Sequence, residues 1–242
     1  QYAKFIVNLA SLDFGRSLYS KRPVGGELAE RIPATFELGL AAIALALAFG
    51  LVLGVIAAVR QNSWVDHSIL AGGILGISIP GFFLAPLLVW IFALHLDWLP
   101  VSEHGTFAHL ILPSVSLALP FSAILMRMTR ASMLEVLRED FIRVARAKGL
   151  GAMKIYGKHA LGNALMPIIT IVGLQLGALL TGTVVTETIF DWPGVGTLLY
   201  QAIQSRDYPV VQGCILFISL TYVVVNLLTD IAYAMANPKV RL

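Results

Sequence analysis

The stretch LGLAAIALALAFGLVLGVIAAV, Leu38–Val59, runs for 22 residues without a charged side chain. A helix of about 20 apolar residues is long enough to cross the hydrocarbon core of a bilayer. Four more windows are as long or longer and also lack Asp, Glu, Lys and Arg: His67–Leu96, His104–Met126, His159–Thr186 and Tyr208–Thr229. The sequence therefore predicts an all-α fold, a polytopic membrane bundle with five transmembrane helices.

The composition is also typical of a membrane protein. Of its 242 residues, 57% are hydrophobic and 13% are charged, and the mean hydropathy is +0.81. A soluble domain carries roughly a quarter of charged residues, so lipid is expected to replace water over much of the surface. One cysteine, Cys214, leaves neither a disulfide framework nor a cysteine-based metal site. The chain opens on Gln1 without a signal-peptide pattern, and we expect its true N-terminus to lie upstream.

The distribution of Lys and Arg predicts the orientation. Five spans put Arg60, the 127–158 loop and the C-terminal tail on one side with 11 Lys and Arg, and leave six on the other. Loops rich in Lys and Arg stay in the cytoplasm, so the 127–158 loop is expected there. Five of the six opposing cations lie in residues 1–37, which a further helix upstream would reconcile with this orientation.

Aromatic and acidic residues near the predicted span ends support the same picture. Trp90, Trp98 and Trp192 fall near the outer ends, where amphipathic rings favour the headgroup layer. Glu187 and Asp230 also lie near span ends. A carboxylate in hydrocarbon is costly unless it is paired or hydrated, so both are expected to contact water.

The densest group of cations lies in a glycine-broken stretch, RVARAKGLGAMKIYGKHALGNALMP, Arg143–Pro167. Apolar residues at three- and four-residue steps predict a helix over Met126–Lys148. Their positions are Val136, Leu137, Phe141, Val144 and Ala145. Gly149-Leu150-Gly151 is expected to end this helix. Ala152–Ala160 is expected to form a second short helix with Met153, Tyr156 and Ala160 on one face. On physical grounds, this basic segment (residues 138–160) is either a docking element or an ordinary cationic loop.

The stretch resembles the cytoplasmic loop of ABC importer permeases, in the branch that carries dipeptides, oligopeptides and nickel. Its pattern, RxARAKGL…HALxNALxP, is matched by Arg143, Ala145, Arg146, Ala147, Lys148, Gly149, Leu150, His159, Ala160, Leu161, Asn163, Ala164, Leu165 and Pro167. Arg143 stands where the wider superfamily has Glu, as is usual for this branch, and Gly162 stands where the branch often has Arg. Glu187–Gly213 and Leu12–Val24 resemble its outer segments, so the likeness covers nearly the whole chain.

The resemblance implies a domain organisation and a set of partners. Residues 1–37 would follow the family's first helix, which is absent here, and residues 38–242 would form the permease domain. Within it, residues 138–160 would be the coupling loop and residues 187–209 an outer re-entrant segment. The partners would be a homologous second permease, two cytoplasmic ATPases and an extracytoplasmic solute-binding protein, in a bacterial or archaeal inner membrane.

The resemblance also implies a function. The chain would form half of a path for di- or oligopeptides, or for a related solute such as a nickel chelate or glutathione. The partner ATPases would use ATP and Mg²⁺, and this chain would bind no cofactor, metal or nucleic acid.

Two sets of site residues follow from the resemblance. The coupling residues would be Phe141, Arg143, Val144, Ala145, Arg146, Ala147, Lys148, Gly149, Met153, Tyr156 and His159. Among them, Phe141, Val144, Met153 and Tyr156 would supply apolar contact, with Arg146 and Lys148 supplying charge complementarity. The outer segment would use Glu187, Asp191, Trp192, Pro193, Gly194 and Gly196.

Polar residues inside the apolar windows are candidates for the translocation path. They are Ser122, Asn163, Thr170, Gln175, Thr181, Thr183 and Asn226. The same residue types also form hydrogen bonds between membrane helices, with net contributions of about 1 kcal/mol. Both interpretations stay open for each residue.

The remaining motifs argue against catalysis. The chain has no GxxxxGK[ST] loop for ATP. Residues 76–80, GISIP, carry proline where a nucleophile elbow needs its second glycine. Glu103, His104 and His109 could ligate a metal, although a solvated loop is favoured. We therefore expect that the chain is not itself an enzyme.

Two other classes of membrane protein remain as alternatives. An ion-gradient-driven secondary transporter would show charged residues at mid-membrane or paired broken helices, and the five windows hold no charge. An intramembrane enzyme would need a Ser/His pair, two Asp residues or a metal cluster at membrane depth, and no such motif stands out in the windows.

Overall fold

The structure is a computed structural model that describes residues 14–102 and 104–236, without the side chains at 177–182, 232, 235 and 236. In these ranges the chain is helical apart from turns and one isolated bridge between Arg16 and Pro23, which confirms the all-α class. The helices are α1 Val24–Val59, α2 Trp64–Ser78, α3 Gly81–Leu88 with a π-helical continuation Val89–His95, α4 Phe107–Val136, α5 Asp140–Ala147, a π-helical turn Lys154–Ala160 that leads into α6 Leu161–Ile189, α7 Val195–Gln204 and α8 Tyr208–Ala236.

Four of the described helices are long and apolar enough to cross a membrane, in the stretches Val24–Val59, Phe107–Val136, Lys154–Leu176 and Tyr208–Ile231. A fifth span arises only if α2 and α3 cross together as a broken helix, because the pair is bent by 104°. The predicted span His67–Leu96 is therefore built from two helices with a bend between them.

The bend follows from local sequence. Ile79 adopts an extended conformation, with φ −84° and ψ 118°, between the end of α2 and the start of α3. Pro80 comes next, and the ring of a proline disfavours the helical conformation in the residue before it. The helix therefore ends at Ser78 and restarts at Gly81 in a new direction.

The spanning helices differ in how far the chain itself covers them. In α4, 56% of the most apolar window is buried, compared with 22% for the stretch that includes the start of α6 and 17% for α8. The share covered by the chain itself is thus largest in α4, whereas the start of α6 and the apolar window of α8 leave most of their residues to lipid or to another chain.

The first of two compact units comprises Gln1–Ala42, Gly81–Leu117 and Leu179–Val224. One of its apolar clusters joins the start of α1 to α7 and the start of α8. Its buried members are Val24, Leu28, Val195, Leu198, Ala202, Val210 and Cys214. At Gly213 an added Cβ would lie 2.6 Å from Cγ1 of Val24, so a glycine permits this close approach of α1 and α8.

The second compact unit comprises Ile43–Pro80, Ala118–Ala178 and Val225–Leu242. Its buried apolar cluster joins α1, α4, α5 and the start of α6. The members are Ala58, Leu125, Met133, Ile142, Ala145, Ile155, Ala160, Ala164 and Ile168. This unit contains the whole basic segment, so that segment is seated on the helices around it. The division at residues 37 and 38 expected from the resemblance stays a prediction.

Candidate functional site

The basic segment begins with a break in the helix. The helix α4 ends at Val136 and α5 begins at Asp140, so the continuous helix expected over Met126–Lys148 was wrong. Glu139 occupies the N-cap position in an extended conformation, with φ −69° and ψ 149°. Asp140 in the first turn of α5 complements the positive end of the helix dipole.

Gly149 ends α5 as the sequence predicted. Its φ of +75° lies in the left-handed region, where a glycine pays no steric penalty. The backbone N–H of Leu150 donates to the carbonyl of Ala145 at 3.3 Å, which is the six-to-one bond of a Schellman helix end. The turn after α5 therefore has a defined geometry rather than a loose one.

The second half of the basic segment is not a separate helix. The π-helical turn Lys154–Ala160 runs directly into α6, which continues to Ile189. The expectation of an isolated short helix over Ala152–Ala160 was therefore wrong. Single π-helical turns are rare and often mark functional positions. Here the turn joins the basic segment to a spanning helix without a flexible link.

The buried face of the basic segment differs from the predicted stripe. Ile142 and Ala145 of α5 pack with Ile155 and Ala160 in the core of the second unit. Of the five predicted stripe positions only Ala145 is buried. The break before Asp140 changes the phase of the helix, so Ile142 turns inward. A sequence analysis that began the helix at Glu139 would have predicted that Ile142 faces the core.

Three large apolar side chains of the basic segment point away from the core. Phe141 is 41% exposed, Val144 is 52% exposed and Met153 is 86% exposed. Tyr156 is instead half-buried against the core, and Ala160 is buried, so the predicted shared face of Met153, Tyr156 and Ala160 was wrong. Exposed cations surround the three side chains in sequence: Arg143, Arg146, Lys148, Lys154 and Lys158.

The remaining predicted coupling residues have simple environments. Ala147 and Gly149 are exposed and His159 is half-buried. Arg143 pairs with Asp140 one helical turn away, and both side chains are largely exposed. Such a surface pair contributes little to stability, so Arg143 is available to another partner.

In the first unit, Glu187 organises the 187–209 segment. Its carboxylate is fully buried and accepts a hydrogen bond of 2.9 Å from Oγ1 of Thr35. It also accepts bonds from the backbone N–H groups of Gly196 at 2.7 Å and Thr197 at 3.2 Å. These two groups belong to the first turn of α7, where free N–H groups and the helix dipole favour an anion. Water contact was therefore the wrong expectation for Glu187.

The turn that carries this cap tolerates little added volume. A Cβ at Gly194 would lie 2.3 Å from Cδ of Glu187, and one at Gly196 would lie 2.5 Å from Cα of Val184. Thr35 completes the arrangement, because its Oγ1 accepts a 2.8 Å bond from the backbone N–H of Val195. The predicted residues Glu187, Gly194 and Gly196 are thus brought together.

Trp192 anchors the same turn from inside the protein. It is 1% exposed, and its Nε1 donates to the carbonyl of Ala34 at 2.8 Å. The expectation of a headgroup position was wrong for Trp192, whereas Trp90 and Trp98 are 59% and 69% exposed. Of the neighbouring predicted residues, Asp191 is exposed with a φ of 49°, and Pro193 is half-buried.

A second buried carboxylate, Asp207, holds the turn at residues 17–20. Its oxygens accept hydrogen bonds from the hydroxyl of Ser17 and from the backbone N–H groups of Leu18 at 3.1 Å and Tyr19 at 3.3 Å. Burial alone would raise the pKa of the Asp207 carboxyl, but these hydrogen bonds outweigh it and hold the pKa below its usual value. Of the matched stretch Leu12–Val24, the first two residues lie outside the described ones.

The histidines considered as metal ligands make other contacts. Nε2 of His104 lies 2.9 Å from Oε2 of Glu37, and Nδ1 of His109 lies 2.7 Å from Oγ1 of Thr106. Glu103 lies outside the described residues. Among the residues that the structure covers, no group of three or more His, Cys, Asp and Glu could hold a metal ion.

Three translocation-path candidates bond to their own helices. Asn163 donates to the carbonyl of His159 at 2.6 Å, Thr170 to Met166 at 3.2 Å and Ser122 to Leu119 at 2.8 Å. Such local bonds satisfy a polar side chain without a neighbouring helix. The hydroxyl and amide oxygens of these side chains could still accept hydrogen bonds from a solute.

The other candidates are spread over both units. Gln175 and Asn226 are half-buried, Thr183 is buried, and the side chain of Thr181 is among those not described. Ser122 lines a cavity of about 180 Å³ and Thr183 lines another of about 20 Å³. Their role in a translocation path stays a prediction.

Comparisons with known proteins agree with this architecture. Residues 50–242 match the family described as binding-protein-dependent transport system inner membrane component. The chain is 44% identical over 241 residues to the glutathione transport system permease protein GsiC of Pectobacterium atrosepticum, covering 100% of this chain and 79% of that protein. It is 43% identical over 269 residues to the di/tripeptide transport system permease protein DppB of Pseudomonas aeruginosa, covering 100% and 80% respectively.

A solved structure shares the fold. A chain of the MetNI methionine ABC transporter in an inward-facing conformation superposes with a TM-score of 0.74 at 18% identity, covering 87% of this chain and 96% of that one. At this identity the likeness shows the fold alone.

Proposed function

Since this chain belongs to the family of binding-protein-dependent transport system inner membrane components and is an ABC importer permease, we propose that its solute is a di- or oligopeptide or a close relative such as glutathione. The observation that carries this proposal is similarity along the whole chain to permeases named for glutathione and for di/tripeptides. Glutathione is itself a tripeptide, so the two names define one chemical class. The family does not fit an ion-gradient-driven secondary transporter.

The basic segment is proposed as the place where partner ATPases act on this chain. Phe141, Val144 and Met153 are exposed apolar side chains among cations, on a segment whose other residues Ile142, Ala145, Ile155 and Ala160 are buried; we take the three together as the exposed apolar surface. Exposed apolar side chains framed by charge are typical of a protein contact with a dry centre and a polar rim. The ATPases would use ATP and Mg²⁺, and this chain would bind neither.

Stiffness supports the coupling role. The Schellman end at Gly149 and the π-helical turn Lys154–Ala160 leave few freely rotating bonds between the exposed apolar surface and α6. A displacement applied to Met153 would therefore be passed on instead of absorbed.

The other proposed partners are a homologous second permease and an extracytoplasmic solute-binding protein, in a bacterial inner membrane. The low burial of α6 and α8 is compatible with a second permease or lipid against those helices. The predicted orientation would put the basic segment on the cytoplasmic side and the 187–209 segment on the outer side.

The test is transport by the assembled complex in proteoliposomes. We expect ATP-dependent uptake of labelled di- and tripeptides or glutathione when the binding protein is present, and no uptake when the ATPase subunits are omitted. A complex that accumulates a nickel chelate or a sugar but no peptide would overturn the substrate proposal. Uptake that is independent of the ATPases would overturn the coupling role.

A further inference from the structure

An ion pair that the sequence did not reveal joins α2 to α4, the helix that precedes the basic segment. Asp66, in the first turn of α2, is fully buried, and Arg130 of α4 reaches it with two parallel hydrogen bonds. Nε of Arg130 donates to Oδ1 at 2.6 Å, and a terminal guanidinium nitrogen donates to Oδ2 at 2.7 Å. The pair joins residues that are 64 positions apart in the chain.

The carboxylate also fixes the turn between α1 and α2. Oδ2 of Asp66 accepts a 2.9 Å bond from the backbone N–H of Asn62, whose φ is 60°. The backbone N–H of Asp66 in turn donates to Oγ of Ser63, the N-cap of α2, at 3.3 Å. Asp66 therefore ties the start of α2, the preceding turn and α4 together.

Arg130 stands one helical turn before the residues that seat the basic segment. Met133 of α4 is fully buried and packs in the same cluster as Ile142, Ala145 and Ile155. Residues three apart on a helix lie on neighbouring positions of one face. The same stretch of α4 thus touches α2 through Arg130 and the basic segment through Met133.

A bidentate pair with a buried carboxylate and a half-buried guanidinium fixes geometry more than it adds stability. Its Coulomb attraction is largely offset by the cost of removing both charges from water, and an apolar pair of similar volume often serves stability as well. The two parallel bonds of a guanidinium to a carboxylate nevertheless allow only one relative orientation. The feature that distinguishes Asp66 and Arg130 from an apolar contact is therefore the fixed orientation of α2 on α4.

We propose that the Asp66–Arg130 pair is a positioning joint, through which displacement of the basic segment is passed to α2. This inference rests on the proposed coupling role of the basic segment. Neither residue touches the solute in this proposal. They keep α2 and the basic segment moving as one body when the ATPases act.

The first test replaces the pair by apolar side chains in the assembled complex. Asp66→Leu combined with Arg130→Met keeps a filled, uncharged contact, so the complex is expected to assemble and hydrolyse ATP. We expect the number of solute molecules transported per ATP hydrolysed to fall by about tenfold, within the range of typical coupling free energies. Arg127→Gln, an exposed cation on the same helix, is the matched control and should leave this ratio unchanged.

The second test measures the joint directly. In a Cys214→Ala background, spin labels are placed at Trp64→Cys on α2 and Lys158→Cys on the basic segment, both of which are exposed positions. In the wild-type joint the distance distribution should stay narrow and unchanged when ATP is added. In the apolar double variant it should broaden or change between the two states.

The outcomes separate this inference from the coupling proposal. An unchanged transport-to-ATP ratio together with an unchanged distance in the double variant would overturn the joint. Arg130→Lys, which keeps the charge and loses the second hydrogen bond, covers the case in which the double variant fails to assemble. Failure of both variants to assemble would show a purely structural pair and would also overturn the joint.

Met153→Asp reports on the coupling surface alone, so normal transport in that variant would instead refute the coupling role.

Discussion

The backbone N–H of Gly196 lies 2.7 Å from Oε2 of Glu187, a carboxylate that solvent does not reach. One side chain at the end of α6 thereby caps the first turn of α7, and Thr35 brings α1 to the same group. The 187–209 segment is held by this cap in addition to its apolar cluster, so its stability should be sensitive to small polar changes at Glu187.

Glu187→Gln is expected to destabilise the folded protein. The amide would bring an NH₂ group toward the N–H groups of Gly196 and Thr197 and would remove the charge that favours the helix end. Loss of a buried charged hydrogen-bond acceptor costs about 1–3 kcal/mol. Thermal unfolding in detergent measures this loss. Asp230→Asn, at an exposed carboxylate on α8, serves as the control and should leave the unfolding temperature in place.

Gly194→Ala is expected to disturb the same turn through volume alone. The new Cβ would lie 2.3 Å from the carboxyl carbon of Glu187, so one of the two must move, at a cost of about 1–3 kcal/mol. Gly162→Ala in α6 is the matched control, because a Cβ there meets nothing within 4 Å. It should be neutral or stabilising, by up to about 1 kcal/mol. Equal unfolding temperatures for the two variants would contradict the close contact.

Met153→Asp and Ile142→Asp are expected to fail in different ways. Met153 is 86% exposed, so its replacement should leave thermal stability unchanged while it lowers ATP-driven uptake by roughly tenfold, as loss of a contact hot spot would. Ile142 is fully buried, so a carboxylate there should unseat the basic segment and reduce folded protein. Measuring uptake and the unfolding temperature for both variants separates docking from packing. Normal uptake with Met153→Asp would be evidence against the coupling surface.

Acid is expected to release the turn at residues 17–20. The pKa of Asp207 is lowered in the folded protein. Its contribution to stability is therefore fully present above the pKa of an unfolded aspartate, about 3.9, and is lost as the pH falls through the lower, folded pKa. Protection against hydrogen exchange at the backbone N–H groups of Leu18 and Tyr19, relative to the intrinsic rate at each pH, should fall in that range.

Asp207→Asn tests the same linkage without acid. In this variant the backbone N–H groups of Leu18 and Tyr19 should exchange faster than in the wild type already at neutral pH. Their protection against exchange should no longer depend on acid. An acid response that persists in Asp207→Asn would assign the titration to another group.

Local features were predictable from the sequence because they depend on neighbours in the chain. The apolar windows anticipated the four long spanning stretches, and Gly149 anticipated the left-handed helix end. The bend after Ser78 could also have been found, since Pro80 stands inside the window that was taken as one helix. The helix restart at Asp140 was missed because an apolar period persisted across the break.

Distant partners explain the remaining errors. The burial of Glu187 depends on Thr35, which lies 152 positions away, and the burial of Trp192 depends on the carbonyl of Ala34. No period or composition within a window contains that information. The sequence likewise contained no sign that Asp66 pairs with Arg130, because only the folded chain brings the two residues together.

With 17% of its apolar window covered by its own chain, α8 depends on other molecules for its surroundings. The substitutions that this helix tolerates will accordingly be decided by the bilayer and by adjoining subunits. An unfolding temperature recorded for the lone polypeptide in detergent would thus describe α4 better than α8, and exchanging the detergent for native lipid should alter α8 first.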